Sequence, residues 1–174
     1  MPETSSMMPV VSAHGTSDAP RAAETECLVV RLDDELYAIE LARGAEVHQL
    51  VAATAAPDAA GGLVGYVDIR GRTVPALDLR AALGAPTRPW TASMHMVVAR
   101  AGDEGDELVA LAVDRVDGVV PATLDARGSS HRPTAVSAVA RAGGLGLVPV
   151  LDPAALLAAT VGPTRRSRGR KVAP

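Results

Sequence analysis

Between Leu63 and Gly84 the chain reads LVGYVDIRGRTVPALDLRAALG, a pattern that admits little besides paired strands. Val67 and Ile69 alternate with Tyr66, Asp68 and Arg70, the period of two that turns one strand face inward. Gly71-Arg72 predicts a two-residue turn with glycine at its first central position, as a type II′ hairpin requires. Val74, Ala76, Leu77 and Leu79 form the return strand. Pro75 has no N–H to give to a ladder, so this strand is expected at a sheet edge, or bulged there. Asp78 is placed to cap a short helix over 79–83, and Gly84 to end it in a left-handed conformation.

The same alternation of short apolar runs and polar turns extends in both directions. CLVVRL (27–32) and LYAIEL (36–41) predict a hairpin around the acidic turn 33–35. Residues 42–53 read as a short helix giving way to a strand near Val47. Strands are expected over 94–99 and 108–113 about the acidic turn 102–107. A turn is expected at Asp117-Gly118, a strand from Val119, and a loop over 123–135. Strands over 136–139 and 145–151 follow, the latter interrupted at Pro149, with Gly143-Gly144-Leu145-Gly146 as their hairpin turn. Asp152 and Pro153 open a final helix to Ala159. One domain of 25–160 accounts for this run at about 150 residues per domain. Residues 1–24 and the basic 161–174 lack any period and read as disordered tails. The fold class is all-β, of the small-barrel kind, with a few short helices.

The residues Gly65, Asp68-Ile69-Arg70-Gly71, Val74-Pro75 and Asp78-Leu79-Arg80 carry a family likeness. The stretch resembles the signature hairpin of the CheW-like family, G-x-x-N-L-R-G-x-x-x-P-x-x-D-L-R, with Asp68 in place of asparagine. LYAIEL resembles that family's Y-x-I-[DE]-I strand, and Val113-Asp114-Arg115-Val116 its V-V-D-x-V. Gly44 stands where the family has valine, and Val139 and Arg141 where it has glycines. The likeness covers about residues 26–159 and is thinnest in the last third.

The resemblance implies two SH3-like five-stranded β-barrel subdomains packed together. It implies a non-enzymatic adaptor, without cofactor or metal, that couples methyl-accepting chemoreceptors to a CheA-type histidine kinase. By the same carry-over, Glu46 pairs with Arg70 across the two halves of the domain, at a groove between the barrels where the receptor tip docks. Gly65, Asp68 and Gly71 would share that receptor-facing surface. Pro75, Asp78, Arg80 and Asp114 would be framework residues of the motif. The kinase regulatory domain would bind barrel against barrel.

Composition narrows the alternatives. There is no Phe, one Trp and two Tyr, which leaves little aromatic surface on which bases could stack. Five of the 17 basic residues lie in 161–174, leaving 12 against 20 acids, and such a body repels a phosphate backbone. The tail alone is either a solvated terminus or a contact for nucleic acid or anionic lipid. Cys27 stands alone, which excludes an internal disulfide and suits a reducing cytoplasm. No run reaches the roughly 18 apolar residues of a membrane helix, and the start lacks the features of a secretory signal. A soluble intracellular protein is therefore expected, with no insertion into the membrane; that it is recruited to membrane-associated receptor arrays is what the resemblance implies.

No catalytic pattern emerges. His14, His48, His95 and His131 are scattered without metal-ligand spacing. Ser129, Ser130 and His131 are adjacent in a loop that supplies no framed acid or oxyanion donor. Trp90 is read as the cover of a barrel end, with a partner anchor as the alternative. Val97 and Val113 are read as core. Arg70 is either a surface ion pair worth ~0–1 kcal/mol or a partner contact. Three other functions stay open: a divergent CheW-like protein of another chemosensory or motility pathway binding one partner, a small hydrolase using Asp78 or His131, and a tail-driven nucleic-acid binder.

Overall fold

The computed structural model describes residues 24–57, 60–102, 106–125 and 135–160. Strands β1 (Glu24–Leu32) and β2 (Glu35–Glu40) form the opening hairpin. A single 3₁₀ turn (Leu41–Arg43) leads to β3 (Glu46–Gln49) and β4 (Thr54–Ala55). The central hairpin follows as β5 (Leu63–Ile69) and β6 (Arg72–Asp78), then helix α1 (Leu79–Ala82), β7 (His95–Arg100) and β8 (Leu108–Val113). After β9 (Arg115–Asp125), β10 (Val136–Ala142) and β11 (Gly146–Leu151) comes helix α2 (Pro153–Thr160).

These strands form two units drawn from different parts of the chain. β1 and β2 join β9, β10 and β11 in a closed barrel of order β1-β2-β11-β10-β9. Everything between them forms a six-stranded sheet of order β3-β7-β8-β6-β5-β4. The first unit is the five-stranded barrel expected from the resemblance. The second exceeds it by the two-residue β4, which pairs Thr54 with Tyr66 and Ala55 with Gly65. A Cβ on Gly65 would stand 2.0 Å from the Thr54 carbonyl oxygen, so glycine is what lets the β4 backbone lie against β5.

Three apolar cores follow from this layout. Leu28, Val30 and Ile39 of the barrel meet Leu77, Val97 and Leu111 of the sheet, so the largest core lies between the units. The barrel interior is narrow and is filled largely by Ala38, Ala122, Ala138, Ala140 and Ala142 beside Cys27 and two valines. The sheet unit encloses Val67, Ile69, Val74, Met96 and Val98, with Trp90 packed partly buried over them. Trp90 is thus the cover expected from its loop position, and Val97 and Val113 are fully buried as core.

Several turn expectations give way to longer-range pairing. The hairpin turn is Arg70-Gly71 and not Gly71-Arg72, because Ile69 pairs with Arg72. Both central residues have positive φ, 53° and 80°, the condition of a type I′ turn. β6 is an interior strand, and Pro75 is accommodated because pairing with β8 begins only at Ala76. The irregularity lies on the facing strand, between Leu63 and Gly65.

Asp117-Gly118 does not break a strand. β9 runs through it, and the register jump opposite Val29 and Val30 leaves Asp117 as a bulged residue. Arg31 (2.6 Å) and Arg115 (2.8 Å) hold its carboxylate. β9 continues to Asp125, where a loop was expected from residue 123, and β11 runs unbroken through Pro149. The helix expected after residue 42 is only the 3₁₀ turn, which Gly44 ends in a left-handed conformation. The capping expectations hold: the Asp78 carboxylate accepts the N–H groups of Arg80 (2.9 Å) and Ala81 (3.4 Å), and Gly84 has φ 75°. Of the tail expected over 1–24, Glu24 instead begins β1; residues 1–23 and 161–174 lie outside the described residues, as do Ser129, Ser130 and His131.

The two kinds of core predict opposite sensitivities. Leu111→Ala opens a cavity between the units and costs about 2–5 kcal/mol. Ala140→Leu overfills the alanine-lined barrel and costs about 1–3 kcal/mol. Urea unfolding checks both as a fall in midpoint with the slope unchanged.

Candidate docking surface

The β5–β6 turn is built to project a cation. Asp68 accepts the Gly71 N–H at 2.9 Å, closing the turn from outside the strand ladder. Arg70 sits between them in the left-handed region, which a non-glycine residue adopts only when its surroundings fix it. Its side chain is 76% exposed, and Nη2 lies 3.3 Å from Oε2 of Glu46 on β3. The same Glu46 oxygen lies 3.3 Å from Nε2 of His48. Gly44, ahead of β3, brings Glu46 into place. Its φ is 66°, and a Cβ there would meet the Arg100 guanidinium at 3.0 Å, so valine at this position would be both strained and crowded.

A depression of about 140 Å³ opens between Gly44, Glu46, Ile69, Arg70 and Val98, well below the usual size of a small-molecule site. All its lining comes from the sheet unit and the connection into it. Glu46 and Arg70 do face each other, but within one sheet and not across the two halves of the domain. The rim of that sheet, not a groove between the units, is where they stand. Asp68 and Gly71 share the hairpin tip with Arg70. Gly65 is buried under β4, so its part is the close approach of two strands and not an exposed contact.

The framework residues of the motif converge on a second cluster. Arg80, at the start of α1, is 2% exposed and reaches two carboxylates, Asp33 in the β1–β2 turn and Asp114 between β8 and β9. Half-exposed Arg88 joins both, at 2.6 Å from Asp33 and 2.7 Å from Asp114. The Asp33 N–H donates to Asp114 Oδ2 at 2.6 Å, and the Asp114 N–H to the Arg31 carbonyl at 3.1 Å. The hydrogen bond from Arg80, and then its charge and that of Arg88, hold Asp33 below the usual carboxylate range. Arg31 does the same, first by its hydrogen bond, for Asp117. Asp78 is committed to the α1 N-terminus and to Trp90 Nε1 at 3.4 Å.

Asp33 and Arg88 were not singled out from sequence, since both sit in stretches whose polarity reads as plain solvation. Asp33-Asp34 resembles any acidic turn, and Arg88 lies in a proline-flanked loop. Among the described residues, no three His, Cys, Asp or Glu side chains gather to hold a metal ion, and no helix is long and apolar enough to cross a membrane.

Comparison with known proteins gives likenesses of both sequence and fold. The sequence model of the CheW-like domain family matches residues 26–161. A probable chemotaxis protein CheW of Rhizobium etli is 27% identical over 100 residues, 58% of this chain; the match spans 63% of that relative's length. The crystal structure of the scaffolding protein TtCheW from Thermoanaerobacter tengcongensis matches with a TM-score of 0.62. The overlap covers 74% of this chain and 89% of that one. At 19% identity this last likeness is one of fold.

The Arg80 cluster sets an acid limit. Asp33 and Asp117 have lowered folded pKa values, so their stabilisation is present above the unfolded value of about 3.8 and is lost as pH falls through the lower folded values. Melting temperature should drop steeply below about pH 4, and Asp33→Asn should flatten that drop. At neutral pH, Asp114→Ala strands Arg80 with one fewer counter-charge and costs about 3 kcal/mol, read by the shift of the urea midpoint.

Proposed function

The chain belongs to the CheW-like domain family, and from that premise we propose that it is a scaffold of chemotaxis signal transduction. In this reading it joins the cytoplasmic tip of methyl-accepting chemoreceptors to the regulatory domain of a CheA-type histidine kinase. It works without catalysis or cofactor, in the cytoplasm, at membrane-associated receptor arrays. The observation that carries the reading is the exposed Arg70, held out from a fixed turn and paired to Glu46 over a depression too small for a metabolite. A rigid rim of this kind suits a protein surface better than a substrate.

The receptor tip docks on the rim formed by Glu46, Asp68, Arg70 and Gly71. The kinase domain binds elsewhere, strand unit against strand unit, so that receptor and kinase are held at a fixed distance. Signalling is then mechanical: a change in the receptor alters the kinase through a body that does not itself react. A divergent member that binds only one partner is the second reading. It is favoured by Gly44, which replaces the apolar side chain that the family pattern carries beside Glu46.

The test is a calorimetric titration against the receptor-tip fragment and the kinase regulatory domain of the same cell. Arg70→Ala should weaken the receptor about tenfold, some 1.4 kcal/mol, and leave the kinase unchanged. Equal weakening of both, or of neither, removes Arg70 from the receptor surface. Binding to the kinase alone selects the single-partner reading.

A further inference from the structure

One end of the sheet unit gathers positive charge. Glu46 of β3, Arg72 of β6 and Arg100 of β7 reach that end on the strand face that lines the unit's interior. Glu46 pairs with Val98, Arg72 lies two before Val74, and Arg100 lies two after Val98. The β5–β6 turn adds Arg70. Between these groups Ile69, Val98 and Leu108 give the depression of about 140 Å³ an apolar floor.

Arg70, Arg72 and Arg100 share this rim with Glu46 and Asp68, and both carboxylates are engaged. Asp68 accepts the Gly71 N–H, and Oε2 of Glu46 stands 3.3 Å from Arg70 and from His48. Arg72 donates to the main-chain carbonyl of Asp106, an uncharged acceptor. Extending the register that pairs Glu46 with Val98 brings residue 44 opposite Arg100. Glycine there lets the exposed Arg100 guanidinium lie against the backbone, since a Cβ would stand 3.0 Å from Nη2. Among the described residues, neither Arg72 nor Arg100 forms an ion pair. Over residues 1–160 the acids outnumber the bases 20 to 12, so two arginines without counter-charges on one rim stand out from the rest of the body.

We propose that Arg72 and Arg100 are the acceptor for a carboxylate side chain of the docking partner, which seats a neighbouring aliphatic side chain on the floor of Ile69, Val98 and Leu108. The guanidinium is planar and carries its donors in a fork that matches a carboxylate, so it takes such a group with defined geometry. An acidic partner is repelled by the body at large and admitted at this rim, so the arginines act on the choice of partner and the rate of encounter more than on raw affinity. The depression is too small for a metabolite but open to one side chain delivered by a protein surface.

The identity of the partner rests on the docking surface proposed above, but the acceptor does not, and the experiment separates them. A hexaglutamate peptide is titrated into the full-length protein at low salt, and the arginine Nε–Hε resonances are followed by NMR. Those of Arg72 and Arg100, assigned by their loss in Arg72→Gln and Arg100→Gln, should shift together and saturate, and return when salt is added. Shifts at neither, or equal shifts at the remote Arg31 and Arg115, overturn the proposal. The receptor-tip fragment is then titrated by calorimetry at low and high salt. Arg72→Gln and Arg100→Gln should each weaken it about threefold at low salt and flatten its salt dependence. A tip weakened by Arg70→Ala but indifferent to both glutamine variants overturns the proposal and leaves the docking surface standing. Peptide shifts at Arg72 and Arg100 without any binding of the tip remove the docking reading and leave the acceptor.

Discussion

A guanidinium does not give up its charge at any pH a protein survives, and Arg80 carries one almost entirely out of water. That requirement organises much of the molecule. Asp78 caps the helix that starts beside Arg80, so adjacent motif positions divide the work of placing the cation and stiffening its support. The counter-charges come from outside the sheet unit, Asp33 from the first hairpin of the barrel and Asp114 from the crossing between β8 and β9. A buried ion pair is no more stable than a well-packed apolar substitute. What Arg80 supplies is a tie between the units, since Asp33 reaches it from the first hairpin of the barrel.

Local chemistry was readable wherever a residue's role is completed within a few positions. The Asp78 cap, the Gly84 stop, the β1–β2 hairpin and the Asp152 opening of α2 are all of this kind. Dipeptides that signal a turn were read less well, because the same signal serves two structures. Asp117-Gly118 has the composition of a hairpin turn, yet its freedom is used for a bulge, since β9 must reach across both β1 and β10. Arg70-Gly71 lost its place to Gly71-Arg72 by a one-residue slip, since only the pairing of Ile69 with Arg72 fixes which two residues turn.

The site followed the same division. Glu46 and Arg70 were named because the family likeness ties them, and they do meet. His48, two residues from Glu46, carried no sign of its position, because a histidine on an amphipathic edge looks the same whether its ring nitrogen is satisfied or not. Asp33 lies 47 residues from Arg80 in a turn whose acidity alone would explain it. Partnerships of that span leave no periodicity to find. The scarcity of aromatic residues, by contrast, was informative in advance: a barrel filled by alanines has no room for them, and the single tryptophan closes the other unit from its rim.

The barrel is assembled from both ends of the chain, with the whole sheet unit spelled out between them. On the ribosome, β1 and β2 therefore emerge long before β9, β10 and β11 exist to close around them. The sheet unit is contiguous and can gather its own strands while the first hairpin waits, its apolar face bare and both outer strand edges unpaired. Until Arg115 and the strands after it are synthesised, that hairpin offers open edges on which another chain can pair. Shielding such edges during synthesis is work suited to a chaperone.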